Sequence, residues 1–237
     1  MIGYISYVCS DNFIPGVVAL YNSIRDAGCE NDFLVLVTDD VTEEARQILA
    51  ERNLQIVNAE KVFYNGQYKD KILDRYGKTD ESWKMFTKLN IWKQTKYEKL
   101  IYLDADTIVL ENIDELFEVN ELGAVLGGSA GLNYIGIEAG VLVVKPSLET
   151  YNDLIDALES DVYNIKMSDQ SFLNDYFLNN RSITHIPEKF NRLYKKNPNP
   201  TGSKIFHFNS DKPWIAPERL WEPDVEIWKH FYQKNNG

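Results

Sequence analysis

Apolar residues fall into short runs separated by stretches with helical spacing. Ile2 to Val8 is β-branched and aromatic, the pattern of a strand. From Phe13 the period changes: Val17, Leu20, Tyr21 and Ile24 recur three or four apart, which predicts a helix over residues 15–25 that stops near Gly28. Residues 33–38 form a second apolar strand, 42–51 a second helix with Thr42 as its N-cap, and 54–57 a third strand. Residues 80–97 read as helix, with Met85, Leu89 and Trp92 on one face. Strands follow at 100–103 and 141–144, and helices at 147–158 and 169–178. Beyond Arg181 the Pro-, Asn- and Lys-rich run KKNPNPTGSK reads as loop. Alternating strands and helices with continuously apolar strands imply an α/β fold, its mostly parallel sheet covered on both faces. With no repeat and no linker-like stretch, a single domain over residues 1–237 is expected.

Composition narrows the function classes. A chain of 237 residues with 44% hydrophobic and 13% aromatic content can build a sizeable core. Asp and Glu outnumber Lys and Arg, 36 to 25, giving a net charge of -11 that disfavours a nucleic-acid partner. The same balance leaves room for a bound anion, because one Lys or one metal ion can hold a phosphate. Cys9 and Cys29 have the spacing of neither a disulfide framework nor a metal cluster, and Cys9 reads as a core residue. The N-terminus reads as a first strand and not as a leader, and no window approaches the ~20 apolar residues of a transmembrane segment. A soluble cytoplasmic protein is the expectation.

The candidate chemistry begins in LIYLDADTIVL, residues 100–110, an apolar run interrupted by Asp104 and Asp106. An unpaired buried charge is costly. Period-two alternation places both carboxylates on one face where a parallel strand ends, and in open α/β sheets ligands bind beyond those ends. Two carboxylates there make an oxygen-rich half-site for a hard divalent cation. The motif by itself equally fits a solvated strand end with Asp106 capping a turn. Two rivals lack their fingerprints, since G-x-G-x-x-G and the P-loop are missing, and GGSAG at residues 127–131 matches the G-x-S-x-G elbow in letters alone. Two Asp residues two apart do not flank a glycosidic bond as a hydrolase pair would. Gly127, Gly128, Ser129, Ala130 and Gly131 read as a flexible loop.

Four segments in order carry a resemblance: FTKLNIWKQTKYEKLIYLDADTIVLENIDELF, GVLVVKPSLETYNDL, the pair Asp169-Gln170, and HFNSDKPW. Together they resemble the glycogenin-like branch of glycosyltransferase family 8, retaining enzymes of GT-A fold that use nucleotide-sugar donors. The likeness spans about residues 2–214. It implies that Asp104, Asp106 and His207 bind a metal. With one imidazole among the ligands, Mn²⁺ suits the set somewhat better than Mg²⁺, which stays the alternative. It further implies a UDP-sugar donor, glucose or galactose favoured, and a glycan or protein acceptor. Lys212 matches a lysine on the diphosphate and Lys88 one that faces the donor. Ala105 lies within the metal motif. Residues 8–13 match the loop that holds uridine: Phe13 would stack on uracil, with Tyr7, Val8 and Asp11 as further contacts. Asp169 and Gln170 match the pair near the anomeric carbon, where they would position the sugar and stabilise an oxocarbenium ion. Structural readings stand beside these: core packing for Phe13, a solvated helix face for Lys88, a helix cap for Asp169.

Two departures from the family pattern matter. Glu138-Ala139-Gly140 stands where Asn-Ser-Gly or Asn-Ala-Gly is common, so Glu138 alters donor or acceptor choice, or acts as a base. The HFNSDKPW loop is shorter than glycogenin's, with Ser210 near the usual Gly and therefore close to the diphosphate. Self-glucosylation is the minority expectation, since Tyr194 does not align with the glycogenin acceptor. A non-catalytic nucleotide-sugar module is a second function class, and a homodimer is left open. A nucleotidyltransferase is a third, but it should carry a G-x-G-T-R-type loop where this chain has SDNFIPG.

Overall fold

The computed structural model describes residues 1–66, 81–129, 134–165 and 167–234. Four parallel strands form one half of a seven-stranded sheet: β1 (Ile2–Val8), β2 (Asp32–Val37), β3 (Gln55–Asn58) and β4 (Lys99–Leu103). The other half consists of β6 (Gly123–Ser129), β7 (Tyr134–Val144) and β8 (Thr184–Ile186). The order is β3-β2-β1-β4-β7-β6-β8; β7 runs antiparallel to β4 and to β6, while β8 is parallel to β6. A second, three-stranded sheet is ordered β5 (Thr107–Val109), β10 (Ile205–His207), β9 (Arg192–Leu193).

Six α-helices are described: α1 (Ile14–Asp26), α2 (Glu43–Ala50), α3 (Trp83–Phe86), α4 (Leu148–Ser160), α5 (Asp169–Asn180) and α6 (Glu222–Gln233). The two faces of the large sheet bury separate cores. Tyr4, Ile101 and Leu103 join α1 on one side, and Ile5, Tyr102 and Leu142 join Phe172 and Phe177 of α5 on the other. Central strands buried on both faces explain why they read as unbroken apolar runs.

The local signals act as their chemistry dictates. Thr42 caps α2, its side chain accepting from Ala45 N at 3.3 Å. Gly28 sits at φ +74 beyond α1, a conformation that suits glycine.

Four expectations need correction. Residues 127–129 are not a loop but the end of β6, paired in register with β7; residues 130 and 131 lie outside the described set. The strand expected at 141–144 begins at Tyr134, which puts Glu138 and Ala139 on it. Within 80–97, of which Asp80 is outside the described residues, the chain forms one α-turn and then a 3₁₀ stretch, Thr87–Lys93. Side chains there compete with a regular helix: Thr87 Oγ1 accepts from Val62 N (3.0 Å), and Asn90 Nδ2 donates to Glu60 O and Thr87 O (both 2.9 Å). Finally, the loop expected after Arg181 holds β8, β9, β10 and α6. The stretches around 194–204 and 208–216 have neither helix nor strand.

Candidate functional site

LIYLDADTIVL crosses from one sheet to the other. Its first half is β4, its last is β5, and Asp104-Ala105-Asp106 forms the turn between them. The turn is closed by Thr107, whose N and Oγ1 donate to Asp104 O at 3.0 and 2.7 Å. Asp104 N donates to Gly140 O of β7 (2.8 Å), fixing the turn to the sheet. The N-terminal end of α1 packs against it, since a Cβ on Gly16 would run into Ala105 O and the Trp214 ring. A glycine is therefore what lets α1 approach this closely.

β10 pairs antiparallel with β5, His207 opposite Thr107. That pairing brings His207 Nε2 to 3.1 Å from Asp106 Oδ1 and 3.9 Å from Asp104 Oδ2. One ligand atom from each of the three lies within 4.8 Å of the others. Gly140 keeps the space open, because a Cβ there would collide with the His207 ring. On the ring's far side, Nδ1 is 2.9 Å from Asn191 Oδ1. With Nδ1–H donated to Asn191, Nε2 presents a lone pair toward the carboxylates, the arrangement a metal-binding histidine needs. Two carboxylates and one such imidazole suit a divalent cation, so the residues present fit one.

The electrostatics favour positive charge at this point. Burial works against ionising Asp106, but the His207 and Lys212 charges outweigh it and hold its carboxyl well below the usual range. Burial likewise disfavours charged His207, and Asp106 and Asp104 reverse this so that its affinity for a proton rises. Lys212 donates to Asp106 Oδ2 and, at 2.6 Å, to Phe208 O. Lys88 is not on a solvated face. It is buried between two carboxylates, 2.7 Å from Asp169 Oδ2 and 3.3 Å from Asp104 Oδ1, and donates to Ala139 O at 3.2 Å. Burial would lower its pKa, but those two anions raise it above the ordinary lysine value. Burial raises the Asp169 carboxyl, with Lys88 opposing. Ser168 takes the cap position of α5, so Asp169 opens the helix and spends its carboxylate on Lys88.

Two cavities meet at this cluster. One, of about 310 Å³, is lined by Glu138, Gly140, Asp169, Gln170, His207 and Asn209 among others. The second, of about 350 Å³, is lined by Tyr7, Val8, Phe13, Ala105 and Lys212. Lys88, Asp104, Asp106 and Asp169 belong to both walls. Phe13 is half-buried and meets Trp214 edge-on at 6.1 Å between centroids, so it borders the cavity without being absorbed into the core. Gln170 Oε1 accepts from Ala139 N (3.1 Å). A larger groove, about 1380 Å³, lies apart from both beside β3 and α2. Its lining mixes acidic and basic side chains, and none of the clustered residues reaches it.

Two expected site residues fall elsewhere. Asp11 is exposed and accepts from Thr42 N and Oγ1 at 3.0 and 2.8 Å, and Ser210 is exposed; neither lines either cavity. The structure adds three residues that sequence reasoning missed. Asn191 orients His207, Tyr102 donates to Asp104 Oδ1 at 2.5 Å, and Lys196 lies 2.7 Å from Glu138 Oε1. Tyr102 was findable, since it precedes Asp104 by two in a strand and so shares its face. Asn191 and Lys196 come from a stretch without periodicity and gave no signal.

Comparison with known proteins gives the chain a family and a fold. Residues 4–136 match the family described as "Glycosyl transferase family 8". Glycogenin-1 of Caenorhabditis elegans is 33% identical over 97% of this chain and 53% of its own length. Inositol phosphorylceramide glucuronosyltransferase 1 of Arabidopsis thaliana is 34% identical over 74% of the chain and 30% of its own. The chain thus spans about half or less of these curated relatives. Among solved structures, the galactosyltransferase LgtC, in complex with donor and acceptor sugar analogues, superposes with a TM-score of 0.71 at 16% identity, covering 99% of this chain and 96% of that one. The glycosyltransferase GlyE of Streptococcus pneumoniae gives 0.67 at 21% identity, covering 98% and 60%. The mixed α/β sheet is that of the GT-A glycosyltransferases. Since the family match alone covers more than half of its residues, the chain belongs to glycosyltransferase family 8.

Proposed function

We propose that this protein is a metal-dependent, retaining hexosyltransferase that moves glucose or galactose from a UDP-sugar to a separate glycan or protein acceptor, with residues 1–237 as one catalytic domain. The observation that carries this is the convergence of Asp104, Asp106 and His207 at the wall shared by two cavities. A divalent cation held there, Mn²⁺ or Mg²⁺, would supply Lewis-acid stabilisation of the departing diphosphate.

The chain's own residues complete the division of labour. The cavity bordered by Tyr7, Val8 and Phe13 receives the uridine, with the Phe13 ring offering a stacking face. Lys212 adds a second positive charge where phosphate oxygens would lie. In the other cavity Asp169, pinned by Lys88, places a carboxylate near the developing positive charge at the anomeric carbon. Gln170 fixes its own oxygen on Ala139 N, which leaves its amide hydrogens free, among the described residues, to hold the sugar.

A separate acceptor is favoured because Tyr194, the tyrosine in residues 190–204, is already engaged. Its hydroxyl accepts from Trp221 N at 2.9 Å, and its ring packs on Phe206 and Phe208. The test is a panel of UDP-sugars and acceptors, with product mass and anomeric configuration read by mass spectrometry and NMR. An α-linked product on an added acceptor is expected. An inverted product, or a hexose ladder on the protein itself, would contradict the reading.

A further inference from the structure

Glu138 is a built part of the sugar cavity. It is buried, its side chain only 12% exposed, yet it lines the cavity beside Asp169 and Gln170. Three features hold its carboxylate. Gly128 N donates to Oε1 at 3.2 Å, Lys196 Nζ donates to the same oxygen at 2.7 Å, and a Cβ on Gly127 would run into it. The glycines read from sequence as a loop are therefore the cleared bed in which this carboxylate lies.

The lysine's side chain is 47% exposed, but its backbone is anchored. The turn that carries it is tied to the strand of His207: Tyr194 N donates to His207 O (2.9 Å), and Lys195 N donates to Asn209 Oδ1 (3.0 Å). The Glu138–Lys196 pair thus links β7 to the turn that precedes β10. Both contacts fall on Oε1, and among the described residues Oε2 accepts no hydrogen bond. Glu138 is also the next position on the same face of β7 as Gly140, which touches His207. Two residues of strand separate them by about 7 Å.

Resting on the donor reading above, we propose that Glu138, fixed by Lys196, selects a neutral donor hexose over a uronic acid. Oε2 accepts a hydroxyl from the sugar edge remote from the anomeric carbon. A carboxylate on that edge would face Glu138 with its one lysine already committed, so repulsion excludes it. The choice is a live one in this family, since the curated relatives include both glycogenins and glucuronosyltransferases.

Wild type, Glu138→Gln and Lys196→Met are compared with UDP-glucose and UDP-glucuronate, reading kcat/KM for UDP release and Kd for each donor by calorimetry. Thermal unfolding establishes that each variant folds. Wild type should prefer UDP-glucose by at least about tenfold in both readouts. Glu138→Gln should narrow that ratio several-fold, and Lys196→Met, leaving the carboxylate uncompensated, should not narrow it. Turnover of both donors with a ratio near one, or a ratio unmoved in Glu138→Gln, overturns this inference alone. Turnover of none of UDP-glucose, UDP-galactose and UDP-glucuronate overturns the functional reading, and this inference with it.

Discussion

Asn191 Oδ1 sits 2.9 Å from His207 Nδ1, while the same amide's Nδ2 donates to Glu138 O at 3.4 Å. One side chain therefore connects the imidazole to the strand that carries Glu138. An Nδ1–H donated to that oxygen leaves Nε2 as the ring nitrogen that faces Asp106 and Asp104. Outer partners of this kind carry about 10–100-fold in metal affinity. Replacing Asn191 by Ala should weaken Mn²⁺ binding by that order in a calorimetric titration while leaving the fold intact. Unchanged affinity would mean that His207 is oriented by packing alone.

Lys88 is the cation between Asp104 and Asp169. Removing one partner of a buried ion pair leaves an uncompensated charge and typically costs about 3–5 kcal/mol. Lys88→Met should lose that order of stability in urea unfolding at pH 7. Adding Asp169→Asn should restore part of the loss, because one of the two stranded charges is gone. A Lys88→Met protein as stable as wild type would show that the triad is not electrostatically coupled.

Asp224, in the first turn of α6, is fully buried, and neither of its carboxylate oxygens has a hydrogen-bond partner among the described residues. Burial pushes its carboxyl up from 3.8 to about 6. A raised acid pKa means the folded state holds its proton longer than the unfolded chain does. Stability is then complete below about pH 4 and falls as pH rises toward 6. Asp224→Asn should remove this slope. In thermal melts the variant should match wild type near pH 4 and exceed it at pH 7, by up to about 3 kcal/mol. An equal stability difference at both pH values would contradict the assignment.

The N-terminal part of the fold is legible because its signals are local. Continuous apolar strands, the Thr42 cap and the Gly28 stop each act within a few residues, and each was read where it occurs. The C-terminal quarter reads as loop, yet it supplies His207, Asn191 and Lys196. Its strands are two or three residues long, and they exist because β5 offers an edge for β10, a pairing about a hundred residues apart in sequence. Helix α6 did leave a trace, with Pro223 at its start and Val225, Trp228 and Phe231 at three-residue spacing. The same contrast runs through the site. Asp104 and Asp106 were visible as charges in an apolar run, whereas what Gly127 and Gly128 do depends on Glu138, ten residues away across a strand pair.

The central claim is that Asp104, Asp106 and His207 hold a cation on which donor cleavage depends. The direct measurement is UDP release from UDP-glucose and UDP-galactose by wild type and Asp106→Ala, each titrated with Mn²⁺ and then stripped with chelator. The account predicts release by wild type that rises with Mn²⁺ and is abolished by chelator, and a fall of at least about a hundredfold in the variant. Equal release by the two proteins, or release indifferent to metal, would contradict it.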